Sequence, residues 1–271
     1  MSLKGVAKQT LAFIEAGRFT GPGGIEVSFA AAQQAAIDGT CLFTPDEGDR
    51  LLEIRGTGSS PDISVTDETT QVAAHRLAYE GGMDVCALNF ASARNAGGGF
   101  INGAKAQEED ITRCSALYPC LLTQPTYYAV NRAQKSMLYT DHLIYSPQVP
   151  FFRTRSRDLC DYTFDVSVLT APAPNAGQAL RRDPRSGPVI ETCLRRRAGK
   201  VLAAMRERGE RNLILGAWGC GVFRNNPSMV ADAFGLWLEG PVFAGAFDTV
   251  VFAVYDPSKS RATLRAFQER F

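Results

Sequence analysis

The chain has 271 residues, with 29 Lys and Arg against 28 Asp and Glu, a net charge of +1 and 45% hydrophobic residues. That balance excludes disorder, coiled coil and collagen as descriptions of the whole, and argues against a strongly basic nucleic-acid-binding domain. The seven cysteines are odd in number and contain no C-x-x-C pair, which fits a reducing, cytoplasmic compartment.

Apolar Val6, Leu11, Phe13 and Ile14 ahead of Gly17 predict a helix over residues 3–16 with a glycine C-cap. Thr20 to Gly24 reads as a turn between two short strands that end near Phe29, and residues 46–62 carry only a weak signal. Thr66, Asp67 and Glu68 offer capping oxygens and negative charge, so a helix is expected to start near Thr66 and stop before Gly81. A strand over 83–90, a glycine-rich loop over 95–105 and a helix over 107–121 follow, the helix read from Ile111, Cys114, Leu117 and Cys120. Strands are expected at 142–145, 164–169, 212–215 and 249–255, and helices near 189–208, 228–239 and 258–269. Residues 171–188, rich in Pro, Gly and Arg, are expected as a long loop. Strands separated by helices predict an α/β fold whose mixed, largely parallel sheet carries helices on both faces. The longest apolar run near the end, 242–254, is interrupted by Gly245 and Asp248 and falls short of a membrane span.

Between Arg181 and Arg211 there are ten basic and four acidic residues. A solvated helix face is the ordinary reading of such an excess, and a landing surface for an acidic polymer is the alternative.

Little in the sequence supports metal or cofactor chemistry. The two histidines, His75 and His142, lie at no ligand spacing from other donors and read as structural. A P-loop fails at Ala104, a dinucleotide fingerprint fails at Asn102, and there is no nucleophile elbow. Two glycine-rich loops remain, each between an apolar strand and a helix: Asn95-Ala96-Gly97-Gly98-Gly99-Phe100, and Gly216-Ala217-Trp218-Gly219-Cys220-Gly221-Val222-Phe223. Such loops let backbone N–H groups approach oxyanions, and two at neighbouring strand ends suit a diphosphate. Glu108, Glu109 and Asp110 would ordinarily be first-turn acids of a helix. Beside an anion site their charge repels ligand, so a carboxyl there points to acid/base work or hydroxyl recognition.

Gly97-Gly98-Gly99, seven residues, then Gln107-Glu108-Glu109 resembles the GGG-x(6–8)-QEE signature of bacterial-type poly(ADP-ribose) glycohydrolases, and the second loop is similar to that family's as well. Arg224 and Asn226 depart from the family pattern, which has Gly and Asp there. The resemblance implies a macrodomain-like three-layer α/β/α sandwich over residues 66–271 with an amino-terminal accessory region over 1–65. It also implies hydrolysis of ribose–ribose O-glycosidic bonds with no metal and no cofactor. Glu109 would be the general acid/base and Glu108 would hold ribose hydroxyls at the scissile junction. Substrate contacts would come from Asn95, Gly97, Gly98 and Gly99 in the first loop, with Gln107 either fixing the loop or contacting ligand. Gly219, Cys220, Gly221, Val222 and Phe223 would supply the second, with Tyr255 either stacking on adenine or serving as a core or rim tyrosine. A helix N-terminus lowers a carboxyl pKa, so Glu108, the substrate diphosphate and desolvation must together keep the acid protonated. The implied partners are poly(ADP-ribose), its ADP-ribose product and ADP-ribosylated proteins, with no membrane, no nucleic acid and a monomeric chain. The alternatives are a non-catalytic ADP-ribose-binding module, and a hydrolase of mono-ADP-ribosyl proteins or O-acetyl-ADP-ribose.

Overall fold

The computed structural model describes residues 1–271. Nine strands and eleven α-helices build it: α1 (Leu3–Ala16), β1 (Arg18–Thr20), β2 (Glu26–Ser28), α2 (Ala30–Gly39), β3 (Cys41–Phe43), α3 (Pro45–Leu52), β4 (Asp62–Thr66) and α4 (Thr70–Ala74) come first. β5 (Val85–Phe90), α5 (Gln107–Cys114), α6 (Leu117–Leu122), α7 (Pro125–Ala133), β6 (Leu143–Arg155), β7 (Asp158–Ala171) and α8 (Ala176–Arg182) follow. The chain closes with α9 (Gly187–Glu207), β8 (Asn212–Gly216), α10 (Pro227–Leu238), β9 (Thr249–Ala253) and α11 (Ala262–Gln268).

Seven strands form one mixed sheet in the order β3-β6-β7-β5-β8-β9-β4, and β1 and β2 pair separately. β7, β5, β8, β9 and β4 run parallel, while β6 is antiparallel to both of its neighbours. Residues 1–65, expected as an accessory region, supply β3 and all of β4 except Thr66, the two edge strands of this sheet. Side chains alternate across β5: Cys86 and Leu88 face one core with Leu194, Val201, Phe234 and Phe252, whereas Val85 and Ala87 face another with Ile111, Leu117 and Tyr127. Helices therefore cover both faces, as the alternation of elements requires. Each fully buried aliphatic or aromatic side chain in these cores contributes roughly 1.5–3 kcal/mol.

Four expectations are corrected. The hairpin β6–β7 is far longer than two short strands, since Pro147 and Pro150 hide it in the sequence and a bulge between Ser146 and Val149, with Gln148 at φ 44°, absorbs them. The helix expected over 107–121 breaks at Ser115, which is extended and bridges Phe151. Pro119 has no N–H for the Ser115 carbonyl, so it stands in the first turn of α6 rather than inside one continuous helix. The segment 66–68 ends β4 and turns, with the helix starting at Thr70 and passing into a π-helical turn over His75–Glu80. The loop expected over 171–188 holds α8, whose N-cap Asn175 accepts from the Gln178 N–H at 3.1 Å. No helix is long and apolar enough to cross a membrane.

Candidate active site

The carboxyl ends of β5, β8 and β9 open into a cleft of about 1540 Å³, above the roughly 300–1,000 Å³ of an ordinary small-molecule pocket. Every site residue expected from the sequence lines it except Gly97, which packs inward, where a Cβ would stand 3.1 Å from Thr112 Cγ2. The loop after β5 wraps the first turn of α5. Glu109 Oε1 accepts from the Gly99 N–H at 2.9 Å, and Glu108 Oε2 accepts from the Ser92 N–H at 2.7 Å. Gly98 sits between the two carboxyls at φ +59°, and a Cβ there would fall 2.9 Å from Glu109 Cδ and 3.0 Å from Glu108 Oε2. Only glycine fits a left-handed position so close to two side chains. Gln107 is tied to the loop and the sheet: its amide donates to Thr70 Oγ1 at 3.0 Å and the Leu88 carbonyl at 2.8 Å, and accepts from the Phe90 N–H at 2.8 Å.

The second loop leaves β8 with its indole anchored, Trp218 Nε1 donating to the Ala171 carbonyl at 3.1 Å. Asn225 holds it from below, donating to the Pro174 carbonyl at 2.9 Å. Gly219 is at φ +72°, and a side chain there would strike Asn225 and Ala173. The N–H groups of Gly219, Gly221, Val222 and Phe223 donate to no acceptor in the protein. Four open donors on one glycine-rich turn form an anion-binding nest. Cys220 is no nucleophile, because burial pushes its thiol up to about 12.

The family model for the microbial-type PARG catalytic domain matches residues 7–154. The chain belongs to that family. It is 46% identical to the crystal structure of poly(ADP-ribose) glycohydrolase from Thermomonospora curvata, with 99% of each chain covered and a TM-score of 0.94. The same enzyme bound to the inhibitor ADP-HPD is 47% identical over 99% of each chain, with a TM-score of 0.91. Poly(ADP-ribose) glycohydrolase from Deinococcus radiodurans in complex with ADP-ribose is 46% identical, covering 88% of this chain and 96% of that one, with a TM-score of 0.81. A comparison with curated proteins finds no match.

The PARG cleft also contains residues that sequence reasoning missed. Thr70 and Gln71 open α4, Phe90 ends β5, Tyr118 and Tyr128 come from α6 and α7, and Arg94 and Arg132 stand at the rim. Strand and helix ends were the available signal for the first three; nothing local marks the others. The Tyr128 hydroxyl is buried without a partner. Val222 and Tyr255 line the cleft yet are 79% and 62% exposed, as expected of apolar surface reserved for a ligand. The basic run beyond Arg195 is not a landing surface. Arg197 and Lys200 are buried around Asp141, Arg206 donates to the carbonyls of Leu51, Ile54 and Val242, and Arg211 pairs with Asp248. His75 and His142 bond Tyr162 and Thr140, and no three His, Cys, Asp or Glu side chains converge.

Burial pushes the Glu108 carboxyl up to about 8; the charge of Glu109 adds to this and the N–H donors of Ser92, Asn89 and Gly97 oppose it. Turning over the Asn89 amide would offer its oxygen, which has no partner, to the Glu108 proton. A carboxyl raised on folding stabilises the protein fully only below its unfolded value, and that contribution is lost as pH rises towards 8. Glu108→Gln has no such titration. Between pH 6 and 9 the variant should gain about 2–3 kcal/mol on the wild type, read as a melting-temperature difference that widens by roughly 5–10 °C. A difference that stays flat with pH would refute the assignment.

Proposed function

We propose that this cleft hydrolyses the ribose–ribose O-glycosidic bond of poly(ADP-ribose) and releases ADP-ribose. One observation carries the reading: adjacent carboxyls of Glu108 and Glu109 meet at a glycine loop in the same cleft as four unsatisfied backbone donors. Free amides of the second loop take the diphosphate, the exposed Asn95 side chain and the Phe223 ring take the distal ribose, and Tyr255 stacks on adenine. The scissile bond then lies over Glu109.

Glycosidic cleavage passes through an oxocarbenium-like state, so the leaving oxygen must be protonated and a water then activated. Once substrate and its diphosphate occupy the cleft, Glu109 carries a proton, gives it to the leaving ribose oxygen and takes one back from the attacking water. The Gly99 N–H fixes the carboxyl and leaves its other oxygen free for that exchange. Glu108, held by Ser92 and Asn89, receives the ribose hydroxyls beside the reacting carbon. Its raised pKa keeps it uncharged below about 8, which limits repulsion of an anionic substrate but, against expectation, lends no charge to hold the proton on Glu109, leaving that to the diphosphate and desolvation. Substrates on this reading include ADP-ribosylated proteins that carry the polymer.

Incubation with poly(ADP-ribose), with products resolved by length, tests the reading. ADP-ribose should accumulate as the polymer shortens. A polymer of unchanged length beside tight ADP-ribose binding would make the chain a binding module. Faster release from mono-modified protein than from polymer would move it to a different hydrolase class.

A further inference from the structure

We propose that a band of six cations along one rim of the cleft, Arg94, Arg132, Lys135, Arg181, Arg182 and Arg224, is a docking track for phosphates of the polymer beyond the unit being cleaved. The inference rests on the glycohydrolase reading. Four separate segments contribute, residues 92–96, 132–135, 176–182 and 219–226, and together they contain these six cations and no Asp or Glu. The whole chain sums to +1, so everything outside the band sums to −5. The carboxylates that line the cleft, Glu68, Glu108, Glu109, Asp110 and Asp256, all belong to other segments.

The fold joins the four segments. Arg132 Nη1 donates to the Arg94 carbonyl at 2.7 Å, and Arg182 Nη1 donates to the Lys135 carbonyl at 2.8 Å. The Gly177 N–H donates to the Phe223 carbonyl at 2.9 Å, and the Arg224 side chain lies over Gly177, 3.1 Å from where a Cβ would stand. The Arg94 guanidinium sits 6.0 Å from the centre of the Tyr139 ring, and that ring is 6.0 Å from Phe223. All six cations are exposed and none is ion-paired to a carboxylate. Unpaired cations also stand elsewhere on the surface, Lys8, Arg50, Arg55, Lys105, Arg157 and Lys259 among them, so what sets this band apart is the joining of four acid-free segments.

Arg224 ties the band to the diphosphate loop. It adopts a left-handed backbone at φ 57°, a conformation that disfavours residues with a Cβ, and it occupies a position where the family pattern has glycine. Five of the six cations are arginines, whose planar donor fork matches phosphate oxygens. A track beginning beside the amide nest and running outward along α8 and the end of α7 suits a ligand that repeats its diphosphate, and continuity with the cleft favours the polymer over a nucleic acid.

Lys135, Arg181 and Arg182 lie outside the cleft lining, so changing all three to Gln isolates the track. In a Glu109→Gln background, affinity for a polymer of about twenty units and for ADP-ribose is measured at low and moderate salt. The triple variant should bind the polymer about tenfold more weakly at low salt, with the slope of log affinity against log salt reduced by about 2, while ADP-ribose binding is unchanged. Gln at Lys8, Arg18 and Arg55 controls for net charge and should leave polymer affinity intact. Unchanged polymer binding by the triple variant overturns the track, and so does equal weakening for ADP-ribose or for the control. Single-stranded DNA of equal charge binding as tightly as the polymer would make the band a nucleic-acid surface and overturn it too. If the background protein binds neither ADP-ribose nor polymer, the glycohydrolase reading itself fails and takes the track with it.

Discussion

Glu109→Gln should abolish polymer hydrolysis, by about 10³–10⁴ in rate, while ADP-ribose binds as before. The amide oxygen of Gln can still accept the Gly99 N–H that Glu109 Oε1 accepts at 2.9 Å, so the loop and the glycines around it keep their places. The open amides of the second loop are untouched. On the proposed reading, what disappears is the group that protonates the leaving oxygen and then deprotonates water, and both steps need it. Glu109→Ala is the poorer test, because it also strips the Gly99 N–H of its acceptor. Rates come from polymer-release assays and affinity from titration calorimetry. Hydrolysis within tenfold of wild type would remove Glu109 from the acid/base role, and loss of ADP-ribose binding would make its role structural.

The site was more legible than the frame around it. Glycine loops and paired carboxylates are local in sequence, and their chemistry is visible in residue type alone; the cleft contains all of them but Gly97. Gln107 illustrates the limit, since only the fold reveals that Thr70, Leu88 and Phe90 already occupy its amide. Elements were missed where a local signal was overridden or unread. Prolines disguised the long hairpin, although a bulge accommodated them. The capping box of α3 was present in the sequence, with Thr44 accepting from the Glu47 N–H and Glu47 Oε2 accepting from the Thr44 N–H at 2.7 Å, yet a helix of eight residues gives little periodicity to read. The basic run beyond Arg195 misled for a different reason. Charge in a sequence does not say which side of a helix faces solvent, and α9 packs Arg197 and Lys200 inward.

That inward packing underlies the second large effect. Asp141→Asn should destabilise the fold by about 3–5 kcal/mol at neutral pH, a drop in melting temperature of roughly 10 °C. Asp141 is 7% exposed and accepts from Arg197 Nε at 2.8 Å and Arg196 Nε at 2.7 Å, with Lys200 Nζ at 3.2 Å. Burial alone would raise this carboxyl, but the Arg197 and Arg196 guanidinium groups hold it well below the usual carboxylate range. Asn keeps the shape and removes the charge, leaving Arg197 fully buried without an anion; Lys200 retains Asp49 at 2.8 Å. A carboxyl lowered on folding contributes stability above its unfolded pKa and loses it as pH falls through the folded value. Wild type and variant should therefore differ by the full amount above about pH 4 and begin to converge only as pH falls below it. The damage should reach the site as well, because Arg197 also donates to the Pro172 carbonyl at 2.7 Å and the Leu138 carbonyl at 2.8 Å. Those bonds brace the chain ahead of Pro174, whose carbonyl anchors Asn225 under the second glycine-rich loop. Thermal melts across pH measure the first effect and ADP-ribose affinity the second. A loss under 1 kcal/mol at pH 7 would show that the buried cluster is no more than a solvated pair.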